Sequence, residues 1–186
     1  AWSTPGSLPR VRYNYGGVTI GADAYFFGGN GPSGASSAVD RFVTSTNSPS
    51  AAGSLPSADY WTAFAVSSTA AIVVPANGIA TTLYNTAGTT SSAGNQVGGL
   101  KYPGVQAVGG TTVMWVGGSE ISGVNSKHTN IWNGSGWVAG PDMACAHPAS
   151  AFGGAAAGFA TGDVLVGASG TCAPEYYRKS TNSFTT

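Results

Sequence analysis

Short stretches of this chain return at a fixed interval. Gly6-Ser7-Leu8-Pro9 recurs unchanged 47 residues later as Gly53-Ser54-Leu55-Pro56. Ser45-Thr46-Asn47-Ser48 recurs 135 residues later as Ser180-Thr181-Asn182-Ser183, three intervals of about 45. An apolar run ending in small residues occurs four times, as Phe26-Phe27-Gly28-Gly29, Val73-Val74-Pro75-Ala76, Trp115-Val116-Gly117-Gly118 and Leu165-Val166-Gly167-Ala168. An aromatic follows each, at Phe42, Tyr84, Trp132 and Tyr177. Four units of about 45 residues, each with room for about four strands, match the blades of a β-propeller.

The residues between these landmarks favour strands. The 29 glycines and 10 prolines are spread along the whole chain and leave no uninterrupted amphipathic stretch of helical length. The best helical candidate, residues 149–158, is broken by Gly153-Gly154. What remains is β-branched and aromatic runs separated by Gly, Ser and Asn clusters, the pattern of strands and turns.

The repeat resembles the kelch repeat, whose blade carries a double glycine after its second strand, then a Tyr, then a Trp after six intervening residues. Gly28-Gly29 and Gly117-Gly118 match the glycines. Tyr177 and Phe184 keep the aromatic spacing with Phe in place of Trp, and Trp132 and Trp137 form a shorter-spaced pair. The second unit departs most, with Pro75-Ala76 at the glycine position. The resemblance implies an all-β, kelch-like β-propeller with four visible blades of about four antiparallel strands, repeating over roughly 7–53, 54–99, 100–142 and 143–186. Glycine pairs allow a sharp turn at φ angles a side chain resists, and the later aromatic is expected to fill the wedge between blades. Residues 180–186 joined to residues 1–9 would read much like residues 45–56, so 1–6 is a candidate closing strand. Kelch rings usually hold six or seven blades; four blades imply a small closed ring, part of a larger one, or a ring shared between chains.

Composition narrows the function classes. Seven basic and seven acidic side chains cancel, which removes the electrostatic case for nucleic acid and for an anionic membrane surface. No stretch approaches the ~20 apolar residues of a membrane span. The chain is 8% charged yet holds 5 Trp, 8 Tyr and 7 Phe, so a packed core sits under a surface of Ser, Thr and Asn. Such a surface suits a secreted or virion protein, held in an assembly or decorated with sugar. Cys145 and Cys172, the two cysteines, are expected to form a disulfide within the fourth repeat.

Catalytic signals are sparse. Cys145-Ala146-His147 offers a Cys/His pair at alternate spacing, but no second pair accompanies it, and His128 lies in a loop-like stretch, so no metal site and no cofactor are assigned. Galactose oxidase and its relatives carry copper on a kelch propeller through tyrosine and histidine ligands; histidines are too few here to match. The acids Asp23, Asp40, Asp59, Glu120, Asp142, Asp163 and Glu175 are scattered at about two per repeat and are read as turn or surface residues. No G-x-S-x-G nucleophile stands in a strand-to-helix context. Tyr13, Tyr15, Tyr60, Trp61 and Tyr102 gather near the start of each unit's first strand, where aromatics serve either as binding anchors or as packing between blades. The sequence therefore points to a non-catalytic binding or assembly module outside the cytosol, such as a phage fibre or decoration component or a secreted lectin. Its partner would be a glycan or protein surface, with self-association or neighbouring subunits. The rival class is a kelch-type carbohydrate oxidase or hydrolase.

Overall fold

A computed structural model describes residues 6–76, 78–98, 104–107, 112–120, 122–147, 156–159, 161–167 and 172–186. The described residues form strands, turns and bends, with no helix among them. The chain divides into two compact units, Ala1–Ala76 with Thr82–Ser92, and Asn77–Thr81 with Ala93–Thr186.

Four antiparallel four-stranded sheets follow one another along the chain. The first contains β1 (Gly16–Ile20), β2 (Asp23–Phe27), β5 (Ala38–Val43) and β6 (Ser48–Ser54), with a two-residue hairpin, β3 (Asn30–Gly31) and β4 (Gly34–Ala35), between β2 and β5. The second contains β7 (Trp61–Ala65), β8 (Ala70–Pro75), β9 (Ala80–Asn85) and β10 (Thr90–Asn95). The third contains β11 (Gly104–Ala107), β12 (Val113–Val116), β13 (Thr129–Trp132) and β14 (Trp137–Ala139). The fourth contains β15 (Ala156–Gly158), β16 (Val164–Val166), β17 (Glu175–Arg178) and β18 (Ser183–Thr185). Each sheet falls inside one sequence repeat to within a residue.

Recurring sequence produces recurring conformation. Asn47 and Asn182, from the repeated Ser-Thr-Asn-Ser, both adopt left-handed backbone, at φ 51° and 49°. In each of these turns the Thr and Ser hydroxyls meet, at 2.7 Å between Thr46 and Ser48 and 2.8 Å between Thr181 and Ser183. Asparagine tolerates this region better than most side chains, which explains its use at both turns. Gly28-Gly29 and Gly117-Gly118 directly follow β2 and β12 with matching φ values, 57° and 91° against 59° and 99°.

Strand register corrects the fourth repeat by one position. Phe26 pairs with Asp40, Val73 with Thr82, Trp115 with Asn130, and Val166 with Glu175. Val166 is thus the counterpart of Phe26, and the places of the glycine pair fall at Ala168 and Ser169, outside the described residues.

Pleating gives every sheet two faces. One carries the aromatic of the third strand and the residue paired with it: Phe42 with Ala24, Tyr84 with Ala71, Trp132 with Val113, Tyr177 with Val164. The other carries Tyr25, Ile72, Met114 and Leu165 at one common register position. In the first unit Tyr25, Phe27 and Val39 of one sheet form a core with Ala71, Val73 and Tyr84 of the next. In the second unit Met114 and Val116 form a core with Val164, Val166 and Tyr177, with Phe184 against it. Of the later aromatics, Tyr84 and Tyr177 lie in these cores and Phe42 is only partly buried; Trp137 is buried, packs edge-on against Trp115 at 6.0 Å and donates to the Thr81 hydroxyl at 2.7 Å.

Candidate functional site

The segment leading into the first sheet is held by a buried ion pair. Arg12 donates to Asp40, to the Gly28 carbonyl at 2.9 Å, to that of Ala38 at 2.7 Å and to that of Phe26 at 3.3 Å. Arg10 adds a second guanidinium to Asp40 at 2.5 Å. Burial pulls the Arg12 guanidinium below its ordinary value, and the Asp40 carboxylate opposes that shift. The anchored segment then turns at Asn14, with φ 54°, and carries Tyr13 and Tyr15 on either side of the turn.

Both tyrosines remain open to solvent, Tyr13 at 57% and Tyr15 at 40%. Tyr13 exchanges backbone hydrogen bonds with Asn30, 2.8 Å each way, and its hydroxyl accepts from the Asn30 amide at 2.7 Å. Tyr15 packs edge-on against Phe26, with ring centroids 5.5 Å apart. Tyr60 reaches the same place from the start of the second sheet, bridging to Gly28. The glycine pair makes this convergence sterically possible. A Cβ on Gly28 would lie 2.6 Å from the Asp59 carbonyl, and one on Gly29 would lie 2.7 Å from the Tyr13 carbonyl. A platform results: Tyr13, Tyr15 and Asn30, flanked by exposed Val11 and the β3–β4 hairpin.

Of the five tyrosine and tryptophan candidates, Tyr13 and Tyr15 flank one turn, and the Tyr60 backbone bridges to Gly28 nearby. Trp61 does not join them. It is 5% exposed, belongs to the core between the first two sheets, and its ring is the nearest neighbour of Gly28, so it is a packing residue. Tyr102 lies outside the described residues.

Two acids read from sequence as turn or surface residues are buried instead. Asp40 and Glu175, at 0% and 1% exposure, are register equivalents of Thr82 and Asn130. Three of these four positions tie a lead-in segment to its sheet. Asp40 holds Arg10 and Arg12, the Asn130 side-chain oxygen accepts from Val97 N at 2.9 Å, and Glu175 accepts from Ala144 N at 2.7 Å and Cys145 N at 3.0 Å. The findable signal was spacing, since each lies two residues before the third-strand aromatic.

The cysteines are joined. Cys145 and Cys172, with Cα atoms 5.7 Å apart, form a disulfide that ties the lead-in segment of the fourth sheet to the connection before β17. His147 sits beside it, buried, with Nε2 3.2 Å from Glu175. Cys145 is thus held in the disulfide, and His147 turns to Glu175. His128 is exposed, between Asp142 at 2.7 Å and Glu120 at 3.7 Å, with Lys127 3.3 Å from Asp142. No group of three or more metal-ligating side chains suited to a metal ion occurs among the described residues. Among the described residues no helix is long and apolar enough to cross a membrane.

No protein-family model matches the chain, and no curated protein matches it. Among solved structures, that of YjhT is similar, with a TM-score of 0.72 at 14% identity over 89% of this chain. The match spans 62% of the YjhT chain. At this identity the likeness establishes shared architecture, an all-β arrangement of antiparallel sheets.

Proposed function

We propose that the four sheets are blades of a kelch-like propeller and that the protein is a non-catalytic binding module working outside the cytosol. Its ligand is a glycan, taken on the Tyr13–Tyr15 platform. The observation that carries this reading is the pairing of two exposed tyrosines with a backbone immobilised through Arg12 and Asp40. A tyrosine ring offers a flat apolar face to the C–H side of a sugar and loses little entropy when already held. Asn30 adds an amide beside the rings, and the adjoining hairpin contributes Ser33 between glycines and Pro32.

The buried charged groups hold the fold: Arg10 and Arg12 are committed to Asp40, and Glu175 accepts from Ala144 N and Cys145 N. Extracellular or virion-surface residence is supported by the Cys145–Cys172 disulfide. A glycan array followed by calorimetry on the best ligand tests the reading. Tyr13→Ala and Tyr15→Ala should each weaken binding at least tenfold with unchanged circular dichroism. Equal affinity in both variants, or no glycan bound, would discard it in favour of a protein partner or an enzyme.

A further inference from the structure

Three asparagines of this chain stand directly before glycine: Asn30, Asn77 and Asn133. Asn77 lies outside the described residues, and the other two occupy opposite settings. Asn30 and Gly31 form β3, paired with Ala35 and Gly34, and the Asn30 side-chain amide donates to the Tyr13 hydroxyl at 2.7 Å. Asn133 and Gly134 open the turn between β13 and β14, where residues 133–135 are exposed. Three donors converge there on the Asn133 side-chain oxygen: Ser135 N at 3.1 Å, Ser135 Oγ at 3.0 Å and Gly136 N at 3.1 Å.

We infer that Asn133 is a site of self-catalysed modification, in which the Gly134 nitrogen displaces the Asn133 side-chain amide. The nucleophile belongs to the next residue, so its encounter with Cγ is intramolecular. Glycine leaves that nitrogen unshielded by a side chain and the backbone free to rotate; Gly134 already holds φ 98°. Attack places negative charge on Asn133 Oδ1, where the three donors stand as those of an oxyanion hole do. The bond from Gly134 N to Cγ forms and the Cγ–Nδ2 bond breaks. Nδ2 leaves as ammonia, carrying the proton from Gly134 N. Water then opens the cyclic imide. Addition at Cγ gives aspartate, and addition at the main-chain carbonyl gives an isoaspartyl link that routes the chain through the side chain. Either product adds a negative charge to a chain whose seven basic and seven acidic side chains balance. The isoaspartyl link also inserts a carbon into the main chain beside the cross-strand pair Trp132 and Trp137, whose rings lie 5.8 Å apart. At Asn30 the same dipeptide is protected, because the ladder holds its backbone and Tyr13 holds the leaving amide.

The folded chain, incubated at mildly alkaline pH, should accumulate an acidic form on isoelectric focusing. Peptide mapping by mass spectrometry should place the change at residue 133, and enzymatic methylation should detect isoaspartate there. Asn30 should react slower by about tenfold or more, the penalty for a misplaced reacting group. Ser135→Ala keeps the backbone donor and loses the hydroxyl; it should slow the reaction at residue 133 by about tenfold, less than the loss in a buried oxyanion hole because this turn is exposed. In urea the rates at Asn30 and Asn133 should converge, since each is then an unfolded Asn-Gly. The comparison with Asn30 needs no variant, and circular dichroism checks the fold of Ser135→Ala. Residue 133 remaining intact, Asn30 reacting as fast in the folded chain, Ser135→Ala reacting at the wild-type rate, or a rate ratio that persists in urea would each overturn the inference.

Discussion

Gly28 and Gly117 make a controlled comparison of backbone strain and steric overlap. Their φ values are 57° and 59°, so replacing either with alanine imposes the same left-handed penalty, about 1–2 kcal/mol. The surroundings differ. A Cβ at Gly28 would fall 2.2 Å from Trp61 Cδ1 and 2.6 Å from the Asp59 carbonyl oxygen, a buried ring and a main-chain atom that cannot swing aside. At Gly117 the nearest atoms are Met143 Cε at 3.2 Å and His147 Cβ at 3.3 Å, and a methionine methyl can rotate away. Overpacking adds about 1–3 kcal/mol in the first case and little in the second. Gly28→Ala should therefore be less stable than Gly117→Ala by about 2 kcal/mol in urea unfolding. Equal losses for Gly28→Ala and Gly117→Ala would refute the claim that the glycine pair exists to admit the chain crossing above it.

Cys145 and Cys172 should resist alkylation until reduced, and reduction should lower stability by about 3–4 kcal/mol, the loop-closure value for their separation of 27 residues. Tyr84→Phe removes the hydrogen bond that the buried hydroxyl gives the Ala52 carbonyl at 2.5 Å and should cost about 1 kcal/mol. In the unaltered protein, alkaline titration should show one tyrosine pushed up to about 12 by burial, and that tyrosine should vanish in the variant. The Asp142 carboxyl is held below the usual carboxylate range, chiefly by its hydrogen bond with His128 and further by Lys127. Its contribution to stability is complete above the unfolded carboxyl pKa and is lost as pH falls through the depressed folded value. His128→Ala should raise the Asp142 midpoint, read by NMR titration.

Periodicity made the four sheets legible, because each is built from one repeat and the turn residues recur with it. The left-handed turns at Asn47 and Asn182 could be read directly from an identical tetrapeptide. The fourth repeat was misaligned by one residue because small residues at 167–170 offer no side chain to mark which pair takes the glycine role. Burial of Asp40 and Glu175 was hidden for a different reason: an isolated acid is ordinarily a surface residue, and only the pairing of third strand with lead-in segment gives it partners inside. Tyr13, Tyr15 and Tyr60 stand ahead of strands, where Tyr13 and Tyr15 are exposed. Trp61 shares that position but begins β7, where the pleat turns its ring inward. One position along the chain separates the half-buried Tyr60 from a core tryptophan.

The four equivalent positions Asp40, Thr82, Asn130 and Glu175 also bear on how a repetitive chain avoids folding out of order. Near-identical units invite a lead-in segment to settle on the wrong sheet, since the apolar faces are alike. The inward polar groups differ in what they accept: a carboxylate with two guanidiniums, an amide with one backbone N–H, and a carboxylate with two backbone N–H groups and an imidazole. Arg12 delivered to Asn130 would bury a charge without its partner, a loss of about 3–5 kcal/mol for a broken buried ion pair. The repeats thus share a shape, and in three of the four sheets a distinct address is written in a residue that hydrophobic patterning ignores.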